Sequence, residues 1–287
     1  MAAGTDIKTY FQGTWHDGNI AVMRAADHGA WLASTVFDGA RYVDGVAPDL
    51  WAHCERINRS AEALMLKPTH STQEIFDACW EGLRLYPKDA AVYIRPMYWG
   101  LNTLASAILN TDEAEFCICL EVVPMAAPDA PQRLTTTPFR RPVMETNICN
   151  AKAGCLYPNN ARIMAGARAN GYDNALVADA MGNVAETGVS NIFMVKDGEV
   201  FTPIANGTFL AGITRARHMK NLRADGVTVH ETVLSFDDFR DADEVFMTGN
   251  LNKVTPVSEF DGTHYQIGPV TRRARELYWD WAHSEKG

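Results

Sequence analysis

The chain has 287 residues, enough for two domains, and its 47% hydrophobic and 21% charged residues are an ordinary balance for a globular protein. Its net charge of −9 disfavours nucleic acid and anionic membrane as the main partners. No stretch approaches the roughly 18 apolar residues that a membrane-spanning helix needs.

The first half of the sequence predicts a small N-terminal α/β domain over residues 1–124. After a mixture of short strands and turns, the predicted elements are a helix from Pro48 with its apolar residues on one face, a helix opened by a Ser71–Glu74 capping box and ending near Tyr86, and strands over residues 91–98 and 115–123. A stretch rich in Pro and Ala then predicts an interdomain linker over residues 125–132.

The second half predicts a larger C-terminal domain over residues 133–287, which carries the candidate reactive lysine. The predicted elements are strands over residues 133–137, 174–179, 190–195 and 244–247, helices from about Asn159, Gly212 and Gly268, and tight turns at Asp197-Gly198 and Asp261-Gly262. Runs of strands with scattered helices in both halves favour two α+β domains.

Two features of the sequence bear on its compartment. The N-terminus has no basic region followed by an apolar run, so we expect no signal peptide. The six cysteines form no Cys-x-x-Cys pair and match no zinc spacing, which predicts reduced thiols and no metal site. Because disulfides are rare where thiols stay reduced, we expect a cytoplasmic protein.

The segment from Asn150 to Tyr157 places one lysine, Lys152, among small and apolar residues ahead of a helical pattern. Desolvation lowers the proton affinity of a lysine, whose amine can then form a Schiff base with an aldehyde. An arbitrary lysine is more often a surface residue, but the other candidate residues favour the reactive role. On this hypothesis Lys152 is the catalytic residue of a pyridoxal 5′-phosphate enzyme and also its general base.

Other residues could hold the remaining parts of such a cofactor. Glu186, in a run of small residues, could face the pyridine nitrogen and keep it protonated. Gly212-Ile213-Thr214, at a helix start, offers backbone N–H groups and a hydroxyl to a phosphate, and Thr248-Gly249-Asn250 is a second loop of this kind. Arg56 could add positive charge, although a solvated helix face is an equal alternative.

Three more residues could lie near cofactor or substrate. Tyr157 follows Lys152 by five residues and could reach the cofactor's phenolic oxygen. Tyr93 and Arg95 are two residues apart in an apolar strand pattern, so they share a face. Arg95 could bind a substrate carboxylate through two parallel hydrogen bonds, or it could pair with a structural acid.

Taken in order, these residues resemble the motifs of the class IV, fold-type IV aminotransferases, and most closely the branched-chain amino acid aminotransferase group. The resemblance covers nearly the whole chain, and the ordered set is specific although each piece alone is weak. The matching segments are His53-x-x-Arg56 with Ser60-Ala61, Tyr93-Ile94-Arg95-Pro96, Lys152-Ala153-Gly154 with Tyr157, Glu186 with Ser190-Asn191-Ile192-Phe193, Gly212-Ile213-Thr214-Arg215 and Thr255-Pro256-Val257.

The resemblance implies a two-domain α+β fold similar to D-amino acid aminotransferase, with the active site at the domain interface. It also implies a homodimer in which the partner subunit completes that site. Its motifs assign the Schiff base to Lys152 and the pyridine-nitrogen contact to Glu186. The remaining implied cofactor contacts are Arg56, Ile213 and Thr214 at the phosphate, Tyr157 at the phenolic oxygen, and the loop that contains Thr248 and Asn250.

Three segments depart from the branched-chain pattern where substrate is expected. Leu32 stands where a pocket tyrosine is usual, five residues before Phe37. The loop after Gly249 has Asn-Leu-Asn in place of Thr-Ala-Ala, and Leu251 could crowd a substrate carboxylate. The stretch from Trp99 to Leu104 replaces a glycine-rich loop. These changes favour a donor without an α-carboxylate, such as an (R)-amine.

We therefore expect a transaminase that moves an amino group from an (R)-amine or a branched-chain amino acid to a keto acid, through a pyridoxamine form of the cofactor. One alternative is a strict branched-chain or D-amino acid aminotransferase. Another is a lyase of the aminodeoxychorismate lyase type, and a third is a non-enzymatic binding protein with the same fold.

Overall fold

The computed structural model describes residues 4–105 and 107–284. They form two compact units. Of the described residues, the first unit contains those up to Met125 together with the separate segment Ala151–Cys155, and the second contains Ala126–Asn150 and the chain from Leu156 to Ser284. Helices and sheets occur in both units, which confirms the predicted α+β class.

The first unit is built on a six-stranded antiparallel sheet with the strand order β2-β1-β8-β5-β3, and β4 also pairs with β5. Its elements are β1 (Thr5–Phe11), β2 (Thr14–Asp17), α1 (His28–Leu32), β3 (Thr35–Phe37), β4 (Ala40–Tyr42), α2 (Leu50–Ala63), α3 (Thr72–Leu83), β5 (Val92–Gly100), β6 (Thr103–Ala105), β7 (Ile108–Leu109) and β8 (Ala114–Val122). Strands β6 and β7 form a separate small hairpin.

Local sequence explains the two long helices of this unit. Helix α2 buries the predicted apolar face, with Leu50, Cys54 and Ile57 all less than 4% exposed. Helix α3 begins at the predicted capping box, where the Ser71 side chain accepts from the Glu74 backbone and the Glu74 carboxylate accepts from the Ser71 N–H at 2.7 Å. Both helix predictions are confirmed, and α2 begins two residues after Pro48.

The second unit contains a nine-stranded mixed sheet with the order β11-β10-β9-β16-β15-β12-β13-β14, and β17 pairs with β16. Its elements are β9 (Gln132–Arg140), α4 (Tyr157–Ala169), β10 (Asn174–Ala178), β11 (Val184–Thr187), β12 (Asn191–Lys196), β13 (Glu199–Pro203), α5 (Ile213–Ala224), β14 (Val229–Thr232), α6 (Phe236–Arg240), β15 (Glu244–Gly249), β16 (Lys253–Phe260), β17 (Thr263–His264) and α7 (Pro269–Ser284).

The central strands of this sheet are buried on both faces. Along β12, Ile192 belongs to one apolar cluster and Phe193 to another, because successive side chains of a strand point to opposite sides. Phe193 stacks on Phe246 of β15 at 5.0 Å between ring centroids. The two predicted turns are confirmed: Asp197-Gly198 joins β12 to β13 and Asp261-Gly262 joins β16 to β17, with positive φ at all four residues.

Candidate functional site

The segment that carries Lys152 packs with the first unit, although the sequence placed it in the C-terminal domain. The Lys152 carbonyl accepts from the Phe37 N–H at 3.1 Å, and its own N–H donates to Ser60 Oγ at 3.2 Å. Ala153 forms an antiparallel bridge to Val36 of β3. These contacts join residues far apart in the chain and leave no local pattern in the sequence.

The small residues after Lys152 are needed for this packing. Ala153 is fully buried, and a Cβ atom at Gly154 would collide with Thr35 Oγ1. A larger side chain at either position would push the segment away from β3. The small side chain of Ala153 and the absence of one at Gly154 therefore allow this backbone to lie against the sheet of the first unit.

The Lys152 side chain lies beside an aromatic ring. Its Nζ is 4.6 Å from the ring centroid of Phe37, which belongs to the segment that the sequence placed near the substrate. Phe37 is partly buried at the end of β3. The backbone of Lys152 is held by hydrogen bonds on both sides and its amine lies beside an apolar ring, an arrangement suited to a nucleophilic amine.

Arg56 is held by a buried carboxylate, so it is not part of a solvated helix face. Its Nε and Nη2 donate to the two oxygens of Asp38 at 2.6 and 2.8 Å. Asp38 is fully buried and also interacts with His53 Nδ1 at 2.7 Å and with the Gly39 N–H at 2.7 Å. This two-point contact fixes the plane of the guanidinium, which is how arginine is prepared to bind a planar or tetrahedral anion.

Burial alone would raise the pKa of Asp38, but the Arg56 guanidinium and then His53 outweigh it and hold that pKa well below its usual range. Because the folded pKa lies below the unfolded value, Asp38 stabilises the fold above about pH 5, and this contribution falls as the solution is acidified further. Asp38→Asn should therefore lower the free energy of unfolding at pH 7 by on the order of 3 kcal/mol, since Arg56 loses its counterion.

Urea unfolding of wild type and Asp38→Asn at pH 7 and at about pH 3 tests this linkage, and the difference should shrink at the lower pH. Asp44→Asn, at an exposed position of the same unit, is the matched control and should stay within about 0.5 kcal/mol of wild type. An Asp38→Asn deficit of the same size at both pH values would contradict the assignment.

Glu186 lies in β11 of the second unit and is fixed by two partners. Arg141 Nε is 3.1 Å from its Oε1, and Asn191 Nδ2 donates to its Oε2 at 3.3 Å. Arg141 is itself buried, and its Nη2 donates to the carbonyls of Thr187 and Gly188. These contacts fix the position of the Glu186 carboxylate, the kind of group that can face a pyridine nitrogen.

Two predicted phosphate-binding loops lie close together in the second unit. Helix α5 starts after Gly212, and the Asn191 side chain occupies the space that a Cβ atom would take there. Because the N-cap residue is a glycine, it provides no side-chain cap for the first N–H groups of the helix. Asn191 also pairs with Thr248 in the sheet. Within the described residues, Thr248 Oγ1 and Asn250 Nδ2 are buried without a hydrogen-bond partner. Free backbone donors and buried orphan donors together fit an anionic group.

The remaining candidates are distributed as follows. Ile213 and Thr214 form the first turn of α5, and Thr214 is buried. Tyr157 is the first residue of α4. Leu32 ends α1 and is 37% exposed. Leu251 lies in the turn between β15 and β16.

Arg95 has a structural acid as its partner. Its Nη2 is 3.0 Å from Glu121 and 3.3 Å from Cys119 Sγ, both on the neighbouring strand β8. The guanidinium carbon lies 5.8 Å from the Tyr93 ring centroid, so the predicted shared face of Tyr93 and Arg95 is confirmed. Of the two sequence-based alternatives for Arg95, the structure shows the pairing with a structural acid.

Sequence reasoning missed Asp38 and Arg141 as supporting residues. Asp38 directly follows Phe37, but its ion pair with Arg56 spans 18 residues of the chain and depends on the fold. Arg141 follows β9 and contacts a strand 45 residues later. Over residues 4–105 and 107–284, no cluster of His, Cys, Asp and Glu could hold a metal ion, and no helix could span a membrane.

The chain is similar to known proteins in sequence and in fold. The sequence matches the family described as Amino-transferase class IV over residues 35–260. The branched-chain-amino-acid aminotransferase of Escherichia coli K12 is 30% identical over 92% of this chain and 88% of that protein.

Two solved structures are also similar. An aminotransferase from Brucella abortus, bound to the cofactor PLP, is 52% identical over 97% of this chain and 99% of that chain, with a TM-score of 0.95. A branched-chain aminotransferase from Thermoproteus uzoniensis, with norvaline, is 27% identical over 98% and 96% of the two chains, with a TM-score of 0.89.

Proposed function

Because this chain belongs to the class IV aminotransferases, we propose that it moves the amino group of an L-branched-chain amino acid to a keto acid. The chain is a PLP-dependent aminotransferase of fold type IV. The donor is the part that we propose. Relatives named as branched-chain aminotransferases support it, and so does the apolar Phe37 ring beside Lys152.

Bound pyridoxal 5′-phosphate supplies an aldehyde that takes up the donor's amino group and a ring that accepts electrons from its α carbon. In our proposal Lys152 Nζ would hold the cofactor until the donor's amine displaces it. The freed amine would then move the proton from the donor's α carbon to the former aldehyde carbon of the cofactor, and in the second half-reaction it would move a proton back from there to the acceptor's α carbon. This shared use of one site predicts ping-pong kinetics.

The other residues would bind and orient. Glu186, positioned by Arg141, would face the ring nitrogen and hold its proton. The phosphate would be held by positive charge, helix N–H groups and hydroxyls from Arg56, Ile213, Thr214 and Thr248. Tyr157 would donate to the phenolic oxygen. The buried orphan hydroxyl of Thr248 is the observation that best supports the phosphate assignment.

An (R)-amine remains the second candidate donor. Leu32, where related enzymes carry a tyrosine, and the larger side chains of the Asn250–Asn252 turn support it. Both alter the region expected to face the donor's carboxylate. A D-amino acid donor and a lyase reaction are two further alternatives, and the donor screen described below distinguishes them as well.

We further propose that the chain works as a homodimer in the cytoplasm. In the first unit, Trp31, Leu104 and Ile108 expose 56%, 68% and 61% of their surface. Exposed apolar side chains of this size are typical of surfaces that bind another protein, so they support contact with a second copy of the chain. Among the described residues the cysteines form no disulfide bond, which supports a reducing compartment.

A donor screen tests the function. The purified protein should release the keto acid from L-leucine, with pyruvate or 2-oxoglutarate as acceptor, faster than it reacts with D-alanine or either enantiomer of 1-phenylethylamine. Faster reaction of (R)-1-phenylethylamine would move the assignment to the amine donor. Turnover independent of any keto acid would indicate a lyase. Light scattering of the same preparation should give the mass of two 31.7 kDa chains.

A further inference from the structure

Lys253 is an unexpected charge in the interior of the second unit. It is 1% exposed, although it stands at the start of β16, directly after the turn between β15 and β16. Its φ of 63° lies in the left-handed region that favours glycine. Burial of the lysine and its unfavourable backbone conformation both destabilise the fold. We therefore expect its ammonium group to have a specific hydrogen-bond partner.

A hydrogen bond within the same turn explains the position of this ammonium group. Lys253 Nζ donates to Asn250 Oδ1, three residues earlier in the same turn, and lies 5.3 Å from the centroid of the Tyr278 ring. An ammonium group has three donors and no acceptor, so it can bind only the oxygen of a carboxamide. Lys253 therefore fixes which way the Asn250 amide points.

The consequence for Asn250 is that its amino group is turned away from Lys253. Asn250 Nδ2 is buried and has no hydrogen-bond partner within the described residues, and the same is true of Thr248 Oγ1 two residues before it. Two buried donors left unpaired in one loop destabilise the protein unless a ligand oxygen pairs with them. Because Lys253 places a positive charge nearby, an anionic oxygen should bind these donors more strongly than a neutral one.

His218 supports the backbone of Lys253 without adding charge. Its Nε2 is 3.3 Å from the Lys253 carbonyl, and its ring is 5.0 Å from that of Tyr278. Complete burial lowers the pKa of His218 to about 3, and the charge of Lys253 contributes in the same direction. The imidazole is therefore neutral at ordinary pH and acts as a hydrogen-bonding support for Lys253.

We propose that Lys253 is a positioning residue, which holds the Asn250 carboxamide so that Nδ2 donates to an anionic oxygen of the ligand beside Thr248 Oγ1. This rests on the proposed function, because the anion is either the phosphate of the cofactor or the carboxylate of the donor. Lys253 itself does not touch the ligand and acts through Asn250.

Lys253→Met tests this role, since methionine has a similar length but cannot donate a hydrogen bond. We expect the variant to weaken anion binding by about tenfold or more, because a charge-assisted hydrogen bond loses its oriented donor. Two dissociation constants are measured on the apo-protein by fluorescence titration, one for pyridoxal 5′-phosphate and one for inorganic phosphate. Steady-state kinetics then separate KM from kcat for L-leucine and for 1-phenylethylamine.

The two sources of the anion give different results. A weaker affinity for both phosphate compounds assigns Nδ2 to the cofactor. A raised KM for L-leucine, with unchanged KM for the amine and unchanged cofactor affinity, assigns it to the donor's carboxylate. In either case kcat should change by less than about threefold, because Lys253 holds a binding group and moves no proton.

Asn250→Asp provides a second variant in which the fold is preserved. The new carboxylate can still accept from Lys253, but Nδ2 is replaced by an acceptor, so anion affinity should fall at least as far as in Lys253→Met. The double variant Lys253→Met with Asn250→Ala should bind the anion no more weakly than Asn250→Ala alone. The reason is that the two substitutions remove the same interaction. Lys220→Met, on the exposed side of α5, is the control.

Unchanged affinities and KM values in a folded Lys253→Met protein would overturn the proposal, as would additive losses in the double variant. The titrations do not depend on catalysis. If the wild-type protein failed to transfer amino groups but still bound phosphate through Asn250, the proposed function would fail while the role of Lys253 would stand.

Discussion

Lys152→Ala should abolish amino transfer, lowering kcat by at least about 10,000-fold, because one amine serves as both nucleophile and general base. By the usual relation between rate and barrier, this loss corresponds to about 5.5 kcal/mol. The backbone contacts of the segment do not involve the side chain, since they run from the Lys152 amide and carbonyl to Ser60 and Phe37. The variant should therefore fold normally.

The measurement has two parts. Activity with L-leucine and pyruvate gives the rate, and borohydride reduction followed by peptide mass spectrometry locates the covalently attached cofactor. In wild type the added mass should be on the peptide that contains Lys152, and in the variant it should disappear. Lys88→Ala, at an exposed position, should match wild type in both. Normal turnover in Lys152→Ala would refute the catalytic assignment.

Glu186→Gln should lower kcat by about 100- to 1,000-fold, because a neutral amide cannot keep a proton on the ring nitrogen. The substitution keeps the size of the side chain and the hydrogen bond from Asn191, but it leaves Arg141 without the carboxylate 3.1 Å away. Some loss of stability is expected as well, since Arg141 is buried.

Rate and stability can be separated by measuring kcat well below the unfolding temperature of each variant. The visible absorbance of the bound cofactor provides a further readout, since it depends on protonation of the ring. Glu199→Gln, at an exposed carboxylate on β13, is the control and should change neither quantity. An unaltered kcat in Glu186→Gln would mean that another acid is the partner of the ring nitrogen.

Elements with a strong local signature could be predicted from the sequence. The capping box of α3, the apolar face of α2 and the two Asp-Gly turns each depend on residues within a few positions of one another. Helix and strand ends were less accurate: β9 runs to Arg140, beyond the predicted residue 137, because pairing with its neighbours extends it.

The candidate site could be named from the sequence, but its supporting contacts could not. Lys152, Arg56 and Glu186 stand in recognisable motifs. Asp38, Arg141 and Lys253 hold or orient such residues through burial and contacts that only the fold creates. Arg95 shows the same limit, because strand alternation placed it on a face with Tyr93 but could not reveal Glu121 as its partner.

The packing of Ala151–Cys155 with the first unit has a consequence for biosynthesis. The contact from Lys152 to Ser60 spans 92 residues, so it forms only after more than half of the chain has left the ribosome. Until then the edge of β3 lacks the bridge from Ala153. The reactive amine therefore reaches its place late, and a nascent chain of the first 125 residues has no Lys152 with which to attack free aldehydes.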